Sequence, residues 1–150
     1  MRKEISCREW LQRDLERLPY DKYSLQHQKE ELKEIEAEYT AIKATSYDKM
    51  PSGSGDNTQE EKLLSAIAKK TKLTAWITAT EMHVANMEAL LNTLTDEEKI
   101  IVEKTIINRN KNAEEDVAEE IGIERRQVYN RKNAILHRLC QMRFGQGYQP

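Results

Sequence analysis

Three neighbouring side chains, Arg125, Arg126 and Gln127, have the types that read base edges. A guanidinium can bridge O6 and N7 of guanine, and a carboxamide can pair with N6 and N7 of adenine. They follow an acidic run, Glu114-Glu115-Asp116-Val117-Ala118-Glu119-Glu120, and the turn Ile121-Gly122-Ile123-Glu124. Over 112–144 a short acidic helix, a glycine turn and a longer basic helix therefore succeed one another at helix-turn-helix spacing. Gly122 can take the left-handed backbone that ends the first helix. Ala118 is small where two helices cross, and Val117, Ile121, Ile123 and Val128 supply the apolar contacts that set the angle between them. In such a unit the start of the second helix enters the major groove. The candidate DNA-binding residues are Arg125, Arg126, Gln127, Tyr129, Asn130, Arg131 and Lys132, with Arg138 and Arg143 as non-specific phosphate contacts. Arg109 and Lys111 can clamp the flanking backbone. The plainer alternative for all of these is an ordinary solvated helix start and a polar loop, and Tyr129 can equally be partly buried.

Charge is unevenly divided. The chain carries 24 basic and 26 acidic residues, but every Asp and Glu lies at or before Glu124. The six basic residues beyond it give that end a formal +6 against −8 for the rest. A basic element on an acidic body favours polyanion contact through one surface. The dipole of the last helix accounts for Arg138 and Arg143 near its end, but not for Arg125 and Arg126 at its start.

The rest of the chain must position this element. At 150 residues, 33% charged and 6% aromatic, with three prolines and five glycines, it suits long helices in one domain or two small modules. A first helix is predicted from about Lys3 to Leu18, stopping at Pro19, with Trp10, Leu11, Leu15 and Leu18 as its apolar stripe. A longer one should run from Lys22 to Ser46, with Leu25, Leu32 and Tyr39 seven residues apart, Ile35 and Ile42 between them, and Gln28 as the one interruption. The stretch Asp48 to Asn57, with Pro51, Gly53 and Gly55, punctuates the chain. A second long helix from Gln59 to Leu91 carries Leu63, Ile77, Val84 and Leu91 at one position of a seam and Leu73, Met87 and Leu94 at the other, with Lys70 and Thr80 as polar breaks. Trp76, Met82 and Met87 read as core. The simplest arrangement is an antiparallel, coiled-coil-like hairpin, with pairing between chains as the rival. Thr95 and Glu98 form a capping box opening a helix to about Asn108, with Ile100, Ile101, Ile106 and Ile107 buried. Asn112 with Glu115 repeats that capping logic. The expected fold is all-α: a hairpin over 1–93 with its loop at 48–58, a helix-turn-helix module over 94–144, and a frayed tail at 145–150.

Other chemistry is poorly represented. No glycine-rich phosphate loop, nucleophile–base pair or metal-ligand spacing stands out, so neither an enzyme, a metal nor a cofactor is expected. His27, His83 and His137 are scattered, and Cys7 and Cys140 read as reduced intracellular thiols, Cys140 as a packing residue. No segment has the composition of a membrane span or a secretory signal.

The segment Leu94 to Phe144 resembles the fourth region of bacterial sigma factors, on Leu94-Thr95-Asp96-Glu97-Glu98, Val117-Ala118, Ile121-Gly122-Ile123 and Val128-Tyr129. The whole chain resembles phage-encoded late-gene regulators of the RinA and ArpU type, whose hairpin tip Ala44-Thr45-Ser46 and Met50 to Gly55 is similar to. It departs from the usual module at Arg131, where an aliphatic residue is common, and at Glu124, where Ser or Thr often caps the recognition helix. The resemblance implies a cytoplasmic protein of the bacterial host cell, monomer or homodimer. It implies binding to double-stranded promoter DNA, contact with host RNA polymerase and control of packaging or lysis genes. An exposed acidic hairpin or basic tail offers an inhibitory or modulating protein a target. The alternatives are a protein-interaction adaptor and a small terminase-like packaging subunit.

Overall fold

The computed structural model describes residues 5–48 and 56–145, and all regular structure among them is helical. Most of the punctuated stretch 48–58 and of the tail 145–150 lies outside the described residues. The elements are α1 (Cys7–Asp48), α2 (Asp56–Leu91), α3 (Asp96–Val102), α4 (Ala113–Ile121) and α5 (Arg125–Phe144).

The first helix corrects two expectations. It begins at Cys7 rather than Lys3, because Ser6 and Glu9 form a capping box: the Ser6 amide donates to the Glu9 carboxylate and the Glu9 amide to the Ser6 hydroxyl, both at 3.2 Å. It also runs straight through Pro19 instead of stopping there. A proline inside a helix costs roughly 3 kcal/mol in a lost hydrogen bond and a ring clash. Leu11, Leu15 and Leu18, each at most 2% exposed, are packed just before it, and their burial outweighs that cost.

Two compact units emerge, Lys22–His83 and a second made of Met1–Asp21 with Val84–Pro150, so α1 and α2 each contribute to both. The unit carrying α3, α4 and α5 thus includes residues 1–21 and 84–93, which the sequence assigned to the hairpin. Its apolar cluster explains the assignment: Leu11, Leu15 and Leu18 share one core with Met87, Leu94, Ile101, Val117, Val128, Leu136 and Leu139.

In the other unit, Ile35, Leu73 and Ile77 form a small buried cluster with Leu25 and Leu32 against it. Lys29 pairs with Glu81 at 2.8 Å and Glu36 with Lys70 at 3.8 Å, so the two stretches run in opposite directions. Gln28 is buried in the seam, and its Oε1 has no hydrogen-bond partner. Trp76 and Met82, expected in the core, are 59% and 63% exposed. They lie on flanks of α2 away from Leu73 and Ile77, whereas Met87 is buried as expected.

Thr95 opens α3 with the expected capping box. Helix continues to Ile107, but its last turn widens: over Glu103–Ile107 it is π-type, and the Asn108 amide reaches back five residues to the Glu103 carbonyl at 2.7 Å. Widening rotates the inward face, so Val102 and Thr105 are buried beside Ile101 and Ile106, while Ile100 and Ile107 are only half-buried. Before α4, the capping expected of Asn112 is supplied differently. Asn112 carries no side-chain cap; Asn110 instead accepts the Asn112 amide at 3.1 Å and donates to Asp116 at 3.3 Å.

Candidate nucleic-acid interface

Gly122 ends α4 with φ +79°, and the amides of Gly122 and Ile123 both return to the Ala118 carbonyl. The left-handed backbone turns the chain within three residues, so that α5 starts at Arg125. Val117 and Val128 are fully buried across this turn, while Ala118, Ile121 and Ile123 pack partly buried against the same core. Along α5 the buried residues are Val128, Lys132, Ile135, Leu136, Leu139 and Cys140. That inward stripe leaves the first turn facing outward.

Arg125, Arg126, Gln127, Tyr129, Asn130 and Arg131 are all exposed, Tyr129 to 57%. Glu124 holds an extended backbone and makes no side-chain cap, so its carboxylate does not occupy the helix start. The Gln127 amide returns to the Glu124 carbonyl at 2.9 Å, so the start of α5 offers an anion the amides of Arg125 and Arg126 and the positive end of the dipole.

Lys132 departs from this group. It is 8% exposed, and burial, followed by repulsion from Arg109, pulls its ammonium below the ordinary lysine range. Glu114 faces the same network: burial pushes its carboxyl up, but its own backbone amide, Arg109 and Lys132 together outweigh that and hold it low. The Arg109–Glu114 pair is 3.0 Å long, and Arg109 also donates to the Thr105 carbonyl at 3.3 Å. Arg109, Glu114, Arg125, Arg126 and Tyr129 line an open concavity of roughly 580 Å³ at the leading end of α5. Sequence spacing alone left Arg109 indistinguishable from any polar loop residue.

The basic end of the chain is largely neutralised from within. Arg125 pairs with Glu115 at 3.3 Å, Arg131 with Glu97 at 3.3 Å, Arg138 with Glu98 at 2.6 Å and Arg143 with Asp14 at 2.5 Å. Burial pushes the Glu98 carboxyl up, but the Thr95 backbone amide and Arg138 more than offset this and keep it below its usual range. Arg126 differs from the other α5 arginines, since no carboxylate among the described residues reaches it. Arg8, from the start of α1, hydrogen-bonds Asn133 and so joins the outward edge of α5, a contact 125 residues apart that no local pattern reveals.

Cys7 and Cys140 are both free, and burial pushes the Cys140 thiol up, as befits a packing residue. Among the described residues no group of histidine, cysteine and carboxylate side chains could hold a metal ion, and no helix is long and apolar enough to cross a membrane. Compared with family models, with curated proteins and with solved structures, the chain matches none.

Proposed function

We propose that this chain is a DNA-binding transcriptional regulator. In this reading α4, the Gly122 turn and α5 act as a helix-turn-helix of the sigma-region-four kind. The observation that carries it is the outward, uncapped start of α5, where Arg126, Gln127 and Asn130 stand exposed beside the arginine-lined concavity. Arg126 and Gln127 read base edges, Arg125 and Arg109 contact phosphate, and Tyr129 lies against the groove wall. Lys132 supports the site from within through Glu114 and Arg109. Residues 22–48 and 56–83 act as the coiled-coil-like antiparallel hairpin that presents a surface to a protein partner. By its resemblance to phage late-gene regulators, the partner is host RNA polymerase and the targets are packaging or lysis promoters. A modulating protein has the acidic hairpin as its natural target.

The test is the double substitution Arg125→Ala with Arg126→Ala. Both side chains are exposed, and an exposed ion pair such as Arg125–Glu115 contributes about 0–1 kcal/mol, so thermal unfolding stays nearly unchanged while promoter binding disappears. Undiminished promoter affinity in the double variant refutes the assignment. The pairing of Arg125, Arg131, Arg138 and Arg143 favours a second reading, an adaptor that binds protein alone. Retention of duplex DNA by the wild-type chain, lost on adding salt, excludes that reading.

A further inference from the structure

Between residues 64 and 82, α2 exposes a face that carries no charge, in a chain that is 33% charged. Leu64, Ile67, Thr71, Ala75, Thr78 and Met82 recur there at steps of three and four residues, which places them on one side of a helix. All six are exposed, Leu64 to 60% and Met82 to 63%, while the opposite side, with Leu73 and Ile77, faces α1. The threonines are turned inward for hydrogen bonding: Thr71 and Thr78 each donate to the carbonyl four residues back at 2.9 Å. Their hydroxyls are thereby satisfied and their methyl groups face out, so the stripe presents methyl and methylene surface from end to end.

We propose that this face is the contact between two copies of the chain, with α2 packed antiparallel on α2. The stripe fits itself. Its bulky residues stand at the two ends and its small ones in the middle, with the midpoint near residue 73. Turned about that point, Leu64 meets the partner's Met82 and Thr71 meets the partner's Ala75. Small central residues let the two backbones approach, and large ends close the seam. Such a contact is isologous, the arrangement of most two-fold dimers. An open hollow of roughly 610 Å³ beside the stripe, lined by Tyr39, Ile67, Lys70 and Thr74, gives the partner helix room to seat. About five turns of helix on each side bury on the order of 1,000 Å² in total, the lower bound for a specific interface, so the dimer is weak and concentration-dependent.

Sedimentation of the full chain over a wide concentration range tests this. The expected result is a monomer–dimer equilibrium, with Ala75→Glu lowering the association constant about 100-fold or more because it buries an unpaired charge. Thr71→Lys does the same alone, and mixing it with Ala75→Glu restores the heavier species, since residue 71 of one copy meets residue 75 of the other. Glu34→Arg, on an exposed position of α1, leaves association unchanged. Circular dichroism establishes that each variant is helical. A wild-type chain that stays monomeric at the highest concentration, or an Ala75→Glu chain that dimerises as well as wild type, overturns the proposal. Failure of the mixed variants to associate overturns the antiparallel register. DNA binding by the α5 surface is a separate measurement and stands or falls by itself.

Discussion

The internal pairing of α5 leads to a quantitative expectation about salt. A cation that contacts a phosphate releases a counterion from DNA, but a cation taken from a carboxylate leaves that carboxylate to recruit a counterion of its own. The two exchanges largely cancel, so only cations without an acidic partner steepen the salt dependence. Were all six basic residues beyond Glu124 to count, the logarithmic slope would be about −5.4, and affinity would fall roughly 2,000-fold between about 50 and 200 mM salt. At the α5 surface only Arg126, and Lys111 in the loop before α4, are exposed without such a partner among the described residues. With Arg126 reaching a phosphate as well as a base edge, those two give a slope of about −1.8 and a loss of roughly 12-fold over the same range.

Fluorescence anisotropy on a single-site duplex, enriched from a random pool by repeated selection on the protein, measures this directly. Glu115→Gln supplies the internal control. It frees Arg125 from its ion pair with Glu115, so the slope should steepen by about 0.9 and affinity at low salt should rise. A wild-type slope near −5, or a slope that Glu115→Gln leaves untouched, shows that the carboxylates do not compete with phosphate and refutes the reasoning.

The remaining expectations concern stability. Gly122→Ala should cost about 1 kcal/mol and lower the melting temperature by roughly 3 °C, because a Cβ there meets nothing within 4 Å and only the positive φ is strained. Gln28→Leu should stabilise the chain by about 1 kcal/mol in urea unfolding, since it removes a buried oxygen that has no partner; an unchanged midpoint contradicts this. Thr95 and Arg138 at Glu98, and its own backbone amide with Arg109 and Lys132 at Glu114, hold both carboxyls below the ordinary glutamate value in the folded protein, so the unfolded chain takes up their protons first. Their contribution is present above that value and is lost as pH falls through the folded pKa values, and Glu98→Gln with Glu114→Gln should flatten the loss of urea stability below about pH 5.

What the sequence revealed was what depends on near neighbours. The Thr95 and Glu98 capping box, the left-handed Gly122 and the inward spacing of Val128, Ile135 and Leu139 are all decided within one or two helical turns. Ser6 and Glu9 carried the same kind of local signal and went unused, which placed the start of α1 four residues early. Pro19 was misread because its local cost is real and the compensating burial of Leu11, Leu15 and Leu18 comes from residues up to about 130 positions away. Trp76 and Met82 were misplaced because α2 is apolar on two sides, and seven-residue spacing does not say which side is covered. The charge map failed most instructively. Counting residues made the last helix a free cation, whereas Arg131 and Glu97, 34 positions apart, and Arg143 and Asp14, 129 apart, meet only once the chain has folded.

That neutralisation bears on how such a protein could select a site. A freely cationic α5 would bind any duplex, because phosphate attraction is blind to sequence and a genome offers a vast excess of wrong sites. Holding Arg125, Arg131 and Arg138 on carboxylates of the same unit lowers that indiscriminate affinity and also fixes where each guanidinium stands. In the proposed reading, the difference between right and wrong sequences then rests on contacts that need no ion pair to break, those of Arg126, Gln127 and Asn130 with base edges. Affinity surrendered to the carboxylates of α3 and α4 has to be recovered elsewhere, and a second copy held through α2 would supply it by placing two α5 helices on one stretch of DNA. An acidic body beside a reading helix is in that case no obstacle to DNA binding. In the proposed reading it is the means by which weak, paired cations become selective ones.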